Sequence, residues 1–200
     1  MRQHQPTSQL LKKLPKKLTL AKLMMHKTSV DLNLATLKQC APEIVQAQPV
    51  VEVMLALGSN YQADKYLPLA RQRLAALGEV RLSTAFQNPD FTATLEQPKP
   101  DYTNQCVHLT LTTPISLQQL QQTFKTLEGD CDRCRQTKPN QVRQVTMDID
   151  ILMIKLATIE NSLSKGSIFK SMSDWIVMAD RYPFKAHEEM GVRELAVSTD

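Results

Sequence analysis

The chain has 200 residues, 42% hydrophobic and 22% charged, a balance that suits one globular domain with a real core. No apolar run approaches the roughly 18 residues a membrane-spanning helix needs, and Lys12, Lys13, Lys16, Lys17 and Lys22 break any secretory-signal segment. The net charge of +4 is unevenly placed: residues 1–49 hold eight basic and two acidic side chains, residues 50–200 sixteen and eighteen, so the main domain offers no basic face for nucleic acid.

Residues 1–49 read as a basic N-terminal extension, with the domain at 50–200. No acidic residue precedes Asp31, and Pro6, Pro15, Pro42 and Pro49 punctuate the stretch, so a disordered arm is expected. A surface-binding helix, an organelle presequence and a start at Met24 or Met25 stay open as alternatives. From Val50 to Leu57 the sequence is almost continuously apolar and closes on Gly58-Ser59-Asn60, a buried strand running into a turn. Leu67, Ala70, Leu74 and Leu77 then recur at helical spacing before Gly78. Pro68 belongs in a first turn, which puts the helix start near residue 66. Val80, Leu82, Thr84 and Phe86 alternate as a strand.

Residues 87–103 hold three prolines and no periodicity, a long loop of the kind that carries function. Val107, Leu109 and Leu111 make a third strand. Ser116 and Gln119 form a capping box ahead of a helix whose buried stripe is Leu117, Leu120, Phe124 and Leu127. A polar segment over 129–144 leads to a last strand, Val145–Ile154, and Trp175, Ile176, Met178 and Ala179 are expected in a short helix. Strand, helix, strand, strand, helix, strand is the ferredoxin-like βαββαβ arrangement of an α+β fold, an antiparallel sheet with helices packed on its faces.

Four cysteines in a chain this long do not suggest a disulfide framework, and Cys131-x-x-Cys134 lacks the further ligands a zinc site needs, so both read as ordinary thiols of a cytoplasmic protein. His108, between Val107 and Leu109, reads as a surface or pocket-wall residue. Asp148 and Asp150 are the sharpest chemical signal. On a strand they share one face, about 6.6 Å apart along the chain, and two neighbouring carboxylates are relieved either by solvent and lysines or by Mg²⁺. Arg133 and Arg135 lie in the segment that precedes them, as phosphate chemistry would use them or as a solvated loop would carry them.

Four segments in order, Leu57-Gly58-Ser59-Asn60, Gln97 to Asn104, Leu127-Glu128 with Arg133-Cys134-Arg135, and Thr146 to Leu152, resemble the motifs of the 6-hydroxymethyl-7,8-dihydropterin pyrophosphokinases. The resemblance covers residues 51–154. It implies an ATP-dependent enzyme of folate biosynthesis in which the pterin's hydroxymethyl oxygen attacks the β-phosphorus and AMP leaves. Asp148 and Asp150 would hold two Mg²⁺ ions. Pro89, Tyr102 and Asn104 would bind the pterin, and Glu128, Arg133, Arg135 and Arg143 the nucleotide. The implied partners are these small molecules, with no nucleic acid and no membrane span. The sequence departs from the family pattern at Val145, at residues 136–144, which hold no tryptophan, and at Phe184 and Met190, where basic residues are lost. Arg143 or Lys138 would supply the missing charge. The alternative is an impaired paralogue that binds nucleotide or pterin without efficient turnover.

Overall fold

The computed structural model describes residues 34–90, 93–136, 143–157 and 175–197. The expected disordered arm over residues 1–33 and the candidate Lys138 lie outside them. The elements are β1 (Lys38–Cys40), α1 (Pro42–Val45), β2 (Pro49–Ser59), α2 (Ala63–Ala75), β3 (Gly78–Asn88), β4 (Tyr102–Ser116), α3 (Leu117–Asp130), β5 (Asp148–Leu156), β6 (Trp175–Met178) and α4 (Ala186–Val197). They form a mixed α+β fold on one six-stranded sheet, in the order β1-β6-β5-β2-β4-β3.

β2 is the axis. It pairs antiparallel with β4 on one edge and β5 on the other, and its near-continuous apolar run is explained by burial on both faces. Val53, Leu55 and Leu57 face α2 and α3, where Leu67, Leu74, Leu120 and Phe124 complete the larger core. Met54 and Ala56 face the opposite side, where Leu152, Trp175, Val177, Val192 and Leu195 form a second core under α4. The reading of β5 as a simple alternating strand misses a bulge: Met54 pairs with Met153 but Leu55 with Ile151, which leaves Leu152 and Met153 on the same side. Asp148, Asp150 and Leu152 share the α4 side by ordinary alternation, and the bulge turns Met153 to that side as well.

Several expectations are corrected. Residues 34–48 are not part of a free arm: β1 pairs parallel with β6, and Leu34, Leu37, Cys40 and Val45 are buried in the same fold as the residues from 50 onward. That parallel edge also makes the sheet mixed rather than wholly antiparallel. Trp175–Met178 is a strand, not a helix. All four side chains are buried, and a short apolar run has no period to tell the two apart. α2 begins at Ala63, with Pro68 inside it and its ring exposed. β5 starts at Asp148, and Val145 ahead of it is held instead by the turn after β2, as described below. α4 was not expected at all. The capping box at Ser116 and Gln119 is present as read.

His108 is not a surface residue. It is buried, with Nε2 3.0 Å from Glu52 Oε2 and its ring 5.5 Å from that of Trp175, while Lys155 Nζ lies 3.7 Å from the same glutamate. Polar side chains on a buried sheet face persist when they satisfy one another. No helix among the described residues is long and apolar enough to cross a membrane.

Gly78 lies where α2 hands over to β3, and a Cβ there would be 2.0 Å from the backbone oxygen of Thr110. Gly78→Ala is therefore expected to destabilise the fold by about 2–3 kcal/mol, read from chemical denaturation. The thiols give a second test. Cys134 is exposed, Cys106 and Cys131 are buried, and burial, reinforced by Glu188 and Glu194, pushes the Cys106 thiol up to about 12. Since alkylation needs the thiolate, iodoacetamide at pH 8 should label Cys134 in the native chain and Cys106 only after unfolding, as peptide mass spectrometry would show.

Candidate active site

The site is built on cross-strand register at one end of the sheet. Gly58 of β2 lies opposite Asn104 of β4 and also opposite Asp148 of β5. Two residues back, Ala56 lies opposite Cys106 and Asp150. Residues paired in this way project to the same face, so the carboxylates stand on one side of a two-residue floor and the Asn104 amide on the other. The floor is open because its residues are small. A Cβ on Gly58 would already come within 3.2 Å of Asn104 Oδ1 and 3.9 Å of the Tyr102 ring.

Over this floor lies a cavity of about 1010 Å³. Pro89, Tyr102, Asn104, Arg143, Asp148 and Asp150, six of the residues singled out in the sequence, all line it. The loop between β3 and β4 supplies one wall through Pro89, Asp90 and Pro98, which gives the proline-rich segment its place. Tyr102 is pushed above its usual range, first by burial and then by the nearby Asp90 carboxylate. A smaller cleft of about 350 Å³ shares Arg143 and both aspartates and adds Glu128 and Arg135.

The charged groups are paired closely. Arg133 has a side chain only 2% exposed and reaches Asp148 at 3.7 Å; it lines neither cavity. Glu128 is buried and committed: one carboxylate oxygen accepts the Ile149 N–H at 2.9 Å and the other pairs with Arg135. It therefore anchors the start of β5 from the wall of the smaller cleft. Burial pushes Asp150 up to about 6, Arg181 opposing and Asp148 and Glu188 adding to the rise.

Four residues that the sequence reading does not assign to the site stand at the same place. Arg181, on the turn after β6, pairs with Asp150 at 2.8 Å and with Glu188 at 3.0 Å. Glu188, from the first turn of α4, is buried and accepts the Lys185 backbone N–H at 2.8 Å. Lys185 and His187 line the larger cavity beside it, and burial lowers the His187 pKa. Their only sequence signal is a basic cluster near a proline, which is not specific. Arg181 and Lys185 lie between β6 and α4, and His187 and Glu188 in the first turn of α4, a stretch with no clear period in the sequence.

The turn after β2 has a further task. Asn60 Oδ1 accepts the Val145 N–H at 2.7 Å, its amide nitrogen donates to the Arg143 carbonyl at 3.1 Å, and its own N–H donates to the Val145 carbonyl at 2.9 Å. Ser59 Oγ donates to that same carbonyl at 3.2 Å. Gly58-Ser59-Asn60 thus sets the floor with its first residue and, with the other two, clamps the segment that delivers Arg143 and Asp148.

The donor set fits a hard dication. Asp148 and Asp150 offer oxygen ligands on one face, and no group of three or more His, Cys, Asp or Glu among the described residues could hold a metal alone. An ion here would complete its shell from phosphate and water, which is how Mg²⁺ is commonly bound. Comparison with known families matches residues 54–171 to the family described as 7,8-dihydro-6-hydroxymethylpterin-pyrophosphokinase (HPPK). No curated protein matches the chain.

Asn60→Ala removes the acceptor of the Val145 N–H, a residue 2% exposed. The loss should cost about 1–3 kcal/mol and speed hydrogen exchange at the Val145 amide. An unchanged exchange rate would show that the clamp bears no load.

Proposed function

The chain belongs to the 7,8-dihydro-6-hydroxymethylpterin-pyrophosphokinase family, and on that premise we propose that it transfers pyrophosphate from ATP to 6-hydroxymethyl-7,8-dihydropterin and releases AMP. The observation that carries this reading is the convergence of Asn104, Tyr102, Pro89 and both aspartates on one cavity across three strands. The volume of about 1010 Å³ can take a fused bicyclic ring together with a polyphosphate.

In this reading the ring lies over Gly58 and Ala56. The Asn104 amide, with one acceptor and two donors, meets the polar edge of the ring, and Tyr102 and Pro89 form its walls. Asp148 and Asp150 would hold two Mg²⁺ ions, which neutralise charge on the phosphate oxygens. The chain's own cations extend that field, with Arg143 at the junction of the two cavities, Arg135 in the smaller one and Lys185 in the larger. The new bond forms between the hydroxymethyl oxygen and the β-phosphorus. The bond that breaks joins the β-phosphorus to the bridging oxygen, which leaves with AMP. The residues contribute mainly by holding the two reactants in line. We also read β5-β2-β4-β3 with α2 and α3 as the ferredoxin-like frame of the family, extended at the β5 edge.

A second reading, a paralogue that binds without efficient turnover, is favoured by one observation. Arg133, Arg135 and Arg181 are each already engaged by a carboxylate, and Val145 is buried and apolar.

Incubation of the full chain with ATP, Mg²⁺ and the pterin alcohol separates the two readings. AMP release should fall roughly 10³-fold or more in Asp148→Ala/Asp150→Ala, the scale on which phosphoryl transfer depends on charge neutralisation. No AMP from folded wild-type protein that still binds ATP would move the assignment to the second reading.

A further inference from the structure

Arg181 stands at the boundary between the two cavities. It lines the smaller cleft, Glu188 lines the larger, and Asp150 lines both. A single terminal nitrogen of its guanidinium serves both carboxylates, at 2.8 Å from Asp150 Oδ2 and 3.0 Å from Glu188 Oε1. Its Nε is buried without a hydrogen-bond partner. A guanidinium offers five donors in a fixed fork and is most strongly held when two of them act side by side. Here one nitrogen is shared and another is idle, which is an incomplete use of the group.

The electrostatics explain why it rests there. Asp148, Asp150 and Glu188 repel one another in a partly buried setting, and burial with that repulsion weakens the ionised form of Asp150. Arg181 relieves both carboxylates at once. A dication at Asp150 would remove the need for it and also repel it. Glu188 would keep its hold, because it is 2% exposed and also accepts the Lys185 N–H. The guanidinium would then pivot about Glu188 rather than leave, and its idle donors would be free for phosphate oxygens, which the fork suits.

We propose that Arg181 is a resident counter-cation of the carboxylate pair, which competes with a divalent metal for Asp150 and transfers its guanidinium to the polyphosphate when a metal–nucleotide complex binds. The inference rests on the nucleotide reading of the site. It makes Arg181 a ligand-binding residue whose two roles have opposite signs.

Mn²⁺ binding without nucleotide, followed by electron paramagnetic resonance, tests the first role. The affinity for a non-hydrolysable ATP analogue with Mg²⁺ tests the second. Arg181→Gln should bind Mn²⁺ about tenfold more tightly and the analogue about tenfold more weakly, the size of one charge-assisted contact. Unchanged or weaker Mn²⁺ binding, in protein with wild-type circular dichroism, overturns the proposal. If Arg181→Gln does not fold, Arg181→Lys carries the same test: it keeps the charge but not the fork, so a smaller gain for Mn²⁺ is expected and no gain overturns the proposal. Mn²⁺ binding that survives Asp148→Asn/Asp150→Asn places the ion elsewhere and overturns the nucleotide reading together with this proposal. A signal lost in that double variant, with no gain in Arg181→Gln, overturns the proposal alone.

Discussion

Two carboxylates on one face of β5, partly withdrawn from water, repel each other, and much of the surrounding structure answers that repulsion. Arg133 reaches Asp148 and Arg181 reaches Asp150. Each guanidinium arrives from a different part of the chain, one after α3 and the other after β6. The strand itself is tied down by Glu128, whose buried carboxylate takes the Ile149 N–H between the two aspartates. The charges are thus held by opposite charges as well as by the solvent that still reaches both side chains, an arrangement that costs less than burying them unpaired.

The floor beside them depends on the opposite property, a lack of side chain. Gly58 and Ala56 occupy the central strand where larger residues would fill the space between the aspartates and Asn104. One strand therefore alternates between packing a core with Val53, Leu55 and Leu57 and leaving room with its other face. The same face changes character along its length, from open floor at Gly58, through the second core at Met54, to the Glu52–His108–Lys155 cluster at the far end.

Much of this was legible in the sequence, and the limits have physical causes. β2, α2, β3, β4, α3 and β5 were readable because each has a period or a run long enough to show one. The capping box at Ser116 was readable because it is local. β6 has four residues and no period, and β1 has three, two of them polar and exposed, so neither carries a signal of its own. α4 packs its Gly191 close against Cys106 and spends Glu188 and Glu194 on contacts to Lys185 and Thr84, so its buried side is not an apolar stripe. Most of the candidate site came through because it sits on the readable strands and the loop between them. Arg181, Lys185 and His187 did not, because they follow the elements the sequence left faint. Arg133 and Glu128 were noticed as charged residues, but that both are turned inward depends on tertiary contacts no spacing reveals.

β1 and β6 pair with each other although some 135 residues of chain separate them, and both lie outside the family-matched span of 54–171. Loop closure makes such contacts late in folding. As the chain leaves the ribosome, β2 can collect α2, β3, β4, α3 and β5 while β1 waits. The outer edge of the sheet closes only when residues 175–178 have emerged. Arg181 emerges with them, so the last edge to assemble also delivers the cation of Asp150, and a chain cut short before that point would leave the carboxylate without it.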